Sequence, residues 1–343
     1  MTDLPMQLSD YQYELPKELI AQDPVEPRDS SRLLVLHASS GEMEHRRFTD
    51  LPEYLNPGDI LVGNDSRVVP ARILGHKATG GRVEVLLLRP QPAGDWEALV
   101  FPGKRVPPGT LVHADGGSLD LVIGERTEFG GRLVSLHSDL PLEEALLRAG
   151  QMPLPPYIHT RLSDPERYQT IYSREMGSAA APTAGLHFTP RLLEDLHRKG
   201  IPLYRITLHI GLDTFRPIKV ENLEAHTMHS EAYEVPEQAA EAIRDAGGRV
   251  VAVGTTSVRA LESSALGHHQ VRPGRDSTRL FIRPGFRFQA VDALVTNFHL
   301  PGSTLLVMVS ALAGRETILK AYREAVEQRY RFYSFGDAML ILP

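Results

Sequence analysis

The 343-residue chain contains no cysteine. That absence removes disulfides, Cys-based zinc sites and thiol nucleophiles together. Long apolar runs are missing as well: the longest, Leu305 to Leu312, falls far short of the ~20 residues that a membrane span needs. Met1 to Asp10 has neither a basic n-region nor an apolar h-region, so the cytoplasm is the expected compartment. The formal sequon Asn64-Asp65-Ser66 is accordingly not read as a glycosylation site. Excess positive charge is lacking too. A net charge of −6 argues against a general nucleic-acid binder but leaves room for a local basic face. Arg272, Arg275, Arg279, Arg283 and Arg287 form one candidate face, opposed only by Asp276. In a strand, Arg279, Phe281 and Arg283 would share one side while Leu280 and Ile282 faced the core. A solvated strand with its loops is the plainer reading of the same pattern. Neither an internal repeat nor a low-complexity tract occurs.

What is present is the composition of a soluble globular protein, 42% hydrophobic and 23% charged. The length exceeds one ordinary core, so two domains are expected. From about Gly63 to Leu140 the texture is short strand-like runs, such as Val83–Leu88, Trp96–Phe101, Leu119–Ile123 and Arg132–Leu136. Gly80-Gly81, Pro107-Pro108-Gly109, Gly116-Gly117 and Gly130-Gly131 punctuate them. Short strands without a helical period between them predict a closed or nearly closed antiparallel barrel. A short helix, Leu142–Ala149, and the link Met152-Pro153-Leu154-Pro155-Pro156 lead back out, so residues 63–156 read as an insertion.

Before and after it the pattern is strand, loop, helix. Leu33–Leu36, Ile60–Val62, Ile206–Ile210, Arg249–Val253, Ala293–Val295 and Ala338–Leu342 are strand candidates. Thr189 caps a helix from Pro190 to about Lys199, and Pro236 opens another that closes at Gly247-Gly248. Val258–Leu266, a helix starting near Ser303 and Glu316–Gln328 complete the set. Such alternation predicts a three-layer α/β/α sandwich for residues 1–62 and 157–343, with the antiparallel β-barrel inserted into this α/β body.

Polar residues gather where strands end and helices begin, which is where open α/β sheets bind ligands. Gly254-Thr255-Thr256-Ser257 is the sharpest signal. A strand runs into a small hydroxyl-rich turn that opens a helix, and exposed N–H groups there suit a carboxylate, phosphate or ribose hydroxyl. The lysine of a P-loop and the spacing of a dinucleotide fingerprint are both missing. His226-Thr227-Met228-His229-Ser230-Glu231 spaces its histidines by three, not the four of a zincin helix, so no metal is expected. His229 and Glu231 read as an acid–base pair, or the two histidines as partners of buried polar groups. His187, His209 and His299 stand at strand ends, where histidines act in proton transfer or merely fill hydrogen-bond needs. Arg67 and Arg72 lie at the entrance to the insertion, where a ligand between domains would sit.

Taken together these strings resemble the S-adenosylmethionine:tRNA ribosyltransferase-isomerase family of queuosine biosynthesis. The matching stretches run in order along nearly the whole chain: Leu15 to Leu34, Asn64 to Arg72, Pro153 to Ile158, Glu166 to Thr170 and Ala181 to Phe188. His226 to Glu231, Gly254 to Arg259, Asn297 to Ser310 and Tyr333 to Met339 complete them. The resemblance implies transfer of the ribosyl part of S-adenosylmethionine, a co-substrate, to 7-aminomethyl-7-deazaguanine at the tRNA wobble position. Adenine and methionine leave, the ribose rearranges, and epoxyqueuosine forms. The family also has an inserted barrel.

That reaction needs a base beside the sulfonium, an acceptor for the aminomethyl ammonium proton, and a donor that helps adenine leave. His187, His229, Glu231, His299 and Asp65 are the candidates, with the roles left open among them. Gly254, Thr255, Thr256, Ser257, Arg259, Thr183 and Gly185 are candidate contacts to S-adenosylmethionine. Arg67, Arg72, Arg216, Arg279 and Arg283 are candidate contacts to tRNA, and a monomer is expected. Asp213, Gly63, Asp276-Ser277-Thr278 and Gly302 depart from the family pattern without removing a candidate acid or base. The competing expectation is an S-adenosylmethionine-dependent RNA methyltransferase, which would leave S-adenosylhomocysteine. A non-catalytic RNA-binding module fits less well, because phosphate binding calls for Lys and Arg where these loops hold His, Asp and Glu.

Overall fold

Apolar residues alternate between two cores along the central strands, as the two-residue period of a strand requires. Leu34 and Leu36 of strand Arg32–His37 pack into one core, while Leu33 and Val35 pack into the other. Ile60 and Val62 oppose Leu61, and Val250 and Ala252 oppose Val251 and Val253, in the same way. A sheet buried on both faces must be covered twice. Helices Glu237–Arg244, Thr255–Ser264, Thr304–Ala313 and Arg315–Glu327 cover the first face. Helix Pro190–Arg198 and the 3-10 turn Phe48–Glu53 cover the second. The result is the expected three-layer sandwich. This computed structural model describes residues 6–91, 94–127, 130–160, 162, 164–211 and 220–343.

Among the described residues the large sheet has nine strands. Their spatial order is Gly274–Thr278, Glu231–Val235, Leu203–Leu208, Ile60–Asn64, Val250–Val253, Ala293–Asn297, Ala338–Leu342, Arg32–His37, Met43–Arg47. Four neighbours in the middle, from Leu203–Leu208 to Ala293–Asn297, run parallel. Their carboxyl ends therefore lie side by side. Ala338–Leu342 runs antiparallel to Ala293–Asn297 and parallel to Arg32–His37, so those two strands begin at that same end.

The barrel has six staves. Arg72–Lys77, Arg82–Pro90, Trp96–Phe101, Arg132–His137, Asp120–Arg126 and Thr110–Ala114 pair antiparallel in that order. Thr110–Ala114 then pairs back onto Arg72–Lys77 and closes the ring. Ile73, Val85, Ala98, Val112, Leu121 and Val134 fill its centre, with helix Leu142–Ala149 packed against one end. Two staves escaped the sequence reading. Arg72–Lys77 and Thr110–Ala114 each hold an apolar run of only two residues, Ile73-Leu74 and Leu111-Val112, too short to notice. Strand Ser66–Val68, which leads into the barrel, pairs parallel with Glu175–Ser178, and the chain leaves the barrel after the short strand Gly150–Gln151.

Two further expectations need correcting. Helix Thr255–Ser264 starts three residues earlier than Val258, because Gly254 at φ +89 turns the chain from strand to helix in one step. Leu266 instead lies in a short strand, Ala265–Gly267, paired with Gln270–Val271. The arginine segment is not a strand beyond Thr278. The edge strand Gly274–Thr278 stops there, and Pro284-Gly285 turns the chain with Gly285 at φ +93. Ile282 is buried as expected, but Leu280 is only half-buried and Arg279 and Arg283 do not share a strand face. Among the described residues no helix is long and apolar enough to cross a membrane.

Candidate active site

The carboxyl ends of the parallel strands open onto a pocket of about 760 Å³, counting its mouth. Gly254, Thr255 and Thr256 form one wall, Ala180 to Ala184 a second, and Asn297 to Leu300 a third. Tyr157, Tyr333 and Ser334 also line it. Among the described lining residues none is Asp, Glu, Lys or Arg.

Asn297 ends its strand with a fully determined amide. Its Nδ2 donates to the Tyr333 carbonyl and to Nε2 of His187, each at 3.1 Å. The imidazole therefore accepts at Nε2 and carries its proton on Nδ1, which donates to Ser31 Oγ at 2.8 Å. Asn297 Oδ1 is buried without a hydrogen-bond partner among the described residues. Tyr333 adds a second oddity. It holds φ +71, a left-handed conformation rare for a bulky residue, and its buried hydroxyl also lacks a hydrogen-bond partner among the described residues. Its ring packs 4.6 Å from that of Tyr157, whose hydroxyl pairs with Ser334 Oγ. Strain and orphaned polar groups concentrated in one pocket are characteristic of a ligand site.

His299 lines the pocket and is buried. Thr296 Oγ1 donates to the Asn297 carbonyl at 3.3 Å, so at 2.9 Å it accepts from Nε2–H of His299. Nδ1 is then the acceptor of this ring. Burial pushes His299 down to about 3. It does the same to His187, helped by the charges of Arg167, Arg331 and Arg28. Both rings are neutral at pH 7. They differ in access: both nitrogens of His187 are spent on protein partners, its ring stacks on Phe48, and it does not line the pocket.

The other expected residues divide similarly. Thr183, Gly254, Thr255 and Thr256 line the pocket. Ser257 does not: its Oγ is turned back onto the Val253 carbonyl inside the helix. Gly185 is buried where a Cβ would lie 2.2 Å from the Tyr172 hydroxyl, so packing accounts for this glycine. Arg259 is buried against Glu231, whose Oε1 also accepts from the Gly211 N–H. Asp65 lies away from the pocket, held by Thr207 Oγ1 at 2.7 Å and Arg174 at 3.5 Å, and burial raises its carboxyl. His229 is exposed on the loop before strand Glu231–Val235.

Arg67 and Arg72 line a large cleft between the barrel and the body, paired with Glu166 and Glu84. Arg279 is exposed, Arg283 is half-buried 3.8 Å from Glu224, and Arg216 lies outside the described residues, as does Asp213. Asn64, Asn297 and Tyr333 fall within stretches that the sequence marks, but were not among its candidate site residues. A polar residue closing an apolar strand run was the available signal. Asn64 Nδ2 donates to the Leu208 carbonyl and to Thr256 Oγ1, tying two strand ends to the helix start.

A pocket at the strand ends of an open sheet, lined by a left-handed Tyr333 and by an Asn297 amide oxygen without a partner among the described residues, fits an α/β enzyme carrying an inserted barrel. The chain belongs to the family described as Queuosine biosynthesis protein, which matches residues 8–341. It is 62% identical over 342 residues to the S-adenosylmethionine:tRNA ribosyltransferase-isomerase of Symbiobacterium thermophilum, covering 98% of this chain and 100% of that protein. The protein of the same name in Moorella thermoacetica is 56% identical with the same coverage. The crystal structure of the S-adenosylmethionine tRNA ribosyltransferase of Thermotoga maritima matches with a TM-score of 0.55 and 41% identity, covering 97% of this chain and 100% of that one.

Proposed function

We propose that this enzyme transfers the ribosyl moiety of S-adenosylmethionine to 7-aminomethyl-7-deazaguanine at the tRNA wobble position and isomerises it, releasing adenine and methionine and forming epoxyqueuosine. The observation that carries this reading is the end-to-end identity with relatives bearing the ribosyltransferase-isomerase name. The pocket supports it. Tyr157 and Tyr333 offer faces to a purine, and the first N–H groups of helix Thr255–Ser264 open beside Thr255 and Thr256, where they suit ribose or carboxylate oxygens.

His299 fits the base beside the sulfonium, since it lines the pocket in neutral form with Nδ1 as acceptor. The burial that keeps it neutral also makes it a weak base, so positioning must supply much of the rate. In the same reading residues 63–156 are an inserted unit and residues 1–62 and 157–343 the catalytic body, the first boundary falling within strand Ile60–Asn64. Arg67, Arg72, Arg279 and Arg283 then contact tRNA, and the enzyme works as a cytoplasmic monomer.

The test follows labelled S-adenosylmethionine in the presence of tRNA carrying the aminomethyl base. Stoichiometric adenine, with methyl label recovered as free methionine, is expected. Methyl label on RNA with S-adenosylhomocysteine as by-product would overturn the reading in favour of a methyltransferase.

A further inference from the structure

We infer that Asn297 Oδ1 is the group that recognises the purine of the co-substrate, accepting a hydrogen bond from the exocyclic amine of adenine. The inference rests on the reaction just proposed and adds the subsite that selects the base. Both amide hydrogens of Asn297 are committed, to His187 Nε2 and to the Tyr333 carbonyl. The amide cannot turn over without placing its oxygen against the Tyr333 carbonyl, which only accepts. Its orientation is therefore fixed by the protein before any ligand arrives.

Oδ1 remains, buried and without a partner among the described residues, on a side chain that lines the pocket. An orphaned buried acceptor of this kind is costly unless a ligand donor satisfies it. The donor must be neutral in kind. S-adenosylmethionine carries two N–H groups that qualify by chemistry, its α-ammonium and the adenine amine. An ammonium taken into a buried site calls for a carboxylate, and the described lining has none. The amine of a flat base asks only for an acceptor and an apolar, aromatic surround. Phe298, Tyr157 and Tyr333 supply that surround. His187 acts here as a positioning residue: its Nε2 holds the amide, and its Nδ1–H is anchored on Ser31.

The test replaces the donor by an acceptor on the ligand and leaves the protein intact. Calorimetry would compare S-adenosylhomocysteine with S-inosylhomocysteine, each with and without the substrate tRNA. Inosine places a carbonyl oxygen against Oδ1, and the adenine form should bind about 10- to 100-fold more tightly. In Asn297→Ala the ratio should fall below about threefold, with near-native circular dichroism verifying the fold. Equal affinity of the two ligands for the unaltered protein would overturn the subsite, and so would an unchanged ratio in Asn297→Ala. Adenine release from S-adenosylmethionine, followed in parallel, reports separately on the overall reaction.

Discussion

Glu231 and Arg259 form a buried ion pair, one on a strand of the large sheet and the other on the helix that opens at the pocket. Arg259 Nε and Nη2 have no hydrogen-bond partner among the described residues, and its one ion pair among them is with Glu231. Breaking it by Glu231→Ala leaves a buried guanidinium uncompensated, which should cost about 3–5 kcal/mol in urea unfolding. Glu231→Gln, which keeps an acceptor, should cost less. If instead Glu231→Gln unfolds like the parent but loses turnover, Glu231 is an acid–base group and its pairing with Arg259 is secondary.

His187 can be separated from a catalytic base by kinetics. In His187→Phe the ring still stacks on Phe48, but the acceptor that holds the Asn297 amide is gone. A rise in KM for S-adenosylmethionine with a smaller change in kcat is expected. A fall in kcat of about 10²–10⁴-fold at unchanged KM would identify His187 as a proton-transfer residue.

Acid should destabilise the fold well above the carboxylate range. His187 and His299 are held near 3 in the folded protein, against about 6.5 unfolded. Between these values the unfolded chain binds more protons, so stability is full above pH 6.5 and falls as the pH drops toward 3. Each histidine contributes a slope of up to about 1.4 kcal/mol per pH unit. Urea midpoints from pH 7.5 to 4.5 should show this decline. Replacing His187 by Phe should flatten the slope, whatever it does to stability at pH 7.5.

Gly185→Ala should destabilise without a ligand-specific effect. The new Cβ would stand 2.2 Å from the Tyr172 hydroxyl and 2.8 Å from Thr170 Cγ2, inside the packed second core. Overpacking of this kind costs about 1–3 kcal/mol. A normal unfolding midpoint combined with weakened S-adenosylmethionine binding would instead make Gly185 a ligand contact.

Arg279→Ala with Arg283→Ala should weaken tRNA binding and reduce its salt dependence. Each lost phosphate contact removes about 0.7 from the slope of log K against log salt for single-stranded RNA. Affinity measured from 50 to 300 mM salt checks both quantities. Unchanged affinity and slope would leave the segment a solvated surface.

Local chemistry was legible in the sequence because near neighbours along the chain decide it. Short continuous apolar runs marked most central strands, Thr189 and Ser303 marked helix starts, and paired glycines marked the barrel's turns. The staves Arg72–Lys77 and Thr110–Ala114 went unread because their burial comes from barrel closure, which sequence spacing does not announce. The sorting of the histidines was decided only in three dimensions. Ser31 and Asn297 reach His187 from 156 and 110 positions away, through the register of parallel strands that brings their ends together. His187 lies in the 3-10 turn Thr183–His187 and not at a strand end as expected, and a lone histidine looks the same in sequence whether its nitrogens face the pocket or are consumed by such distant partners. Only the folded sheet separates His299, which faces the pocket, from His187, which holds the residue that does.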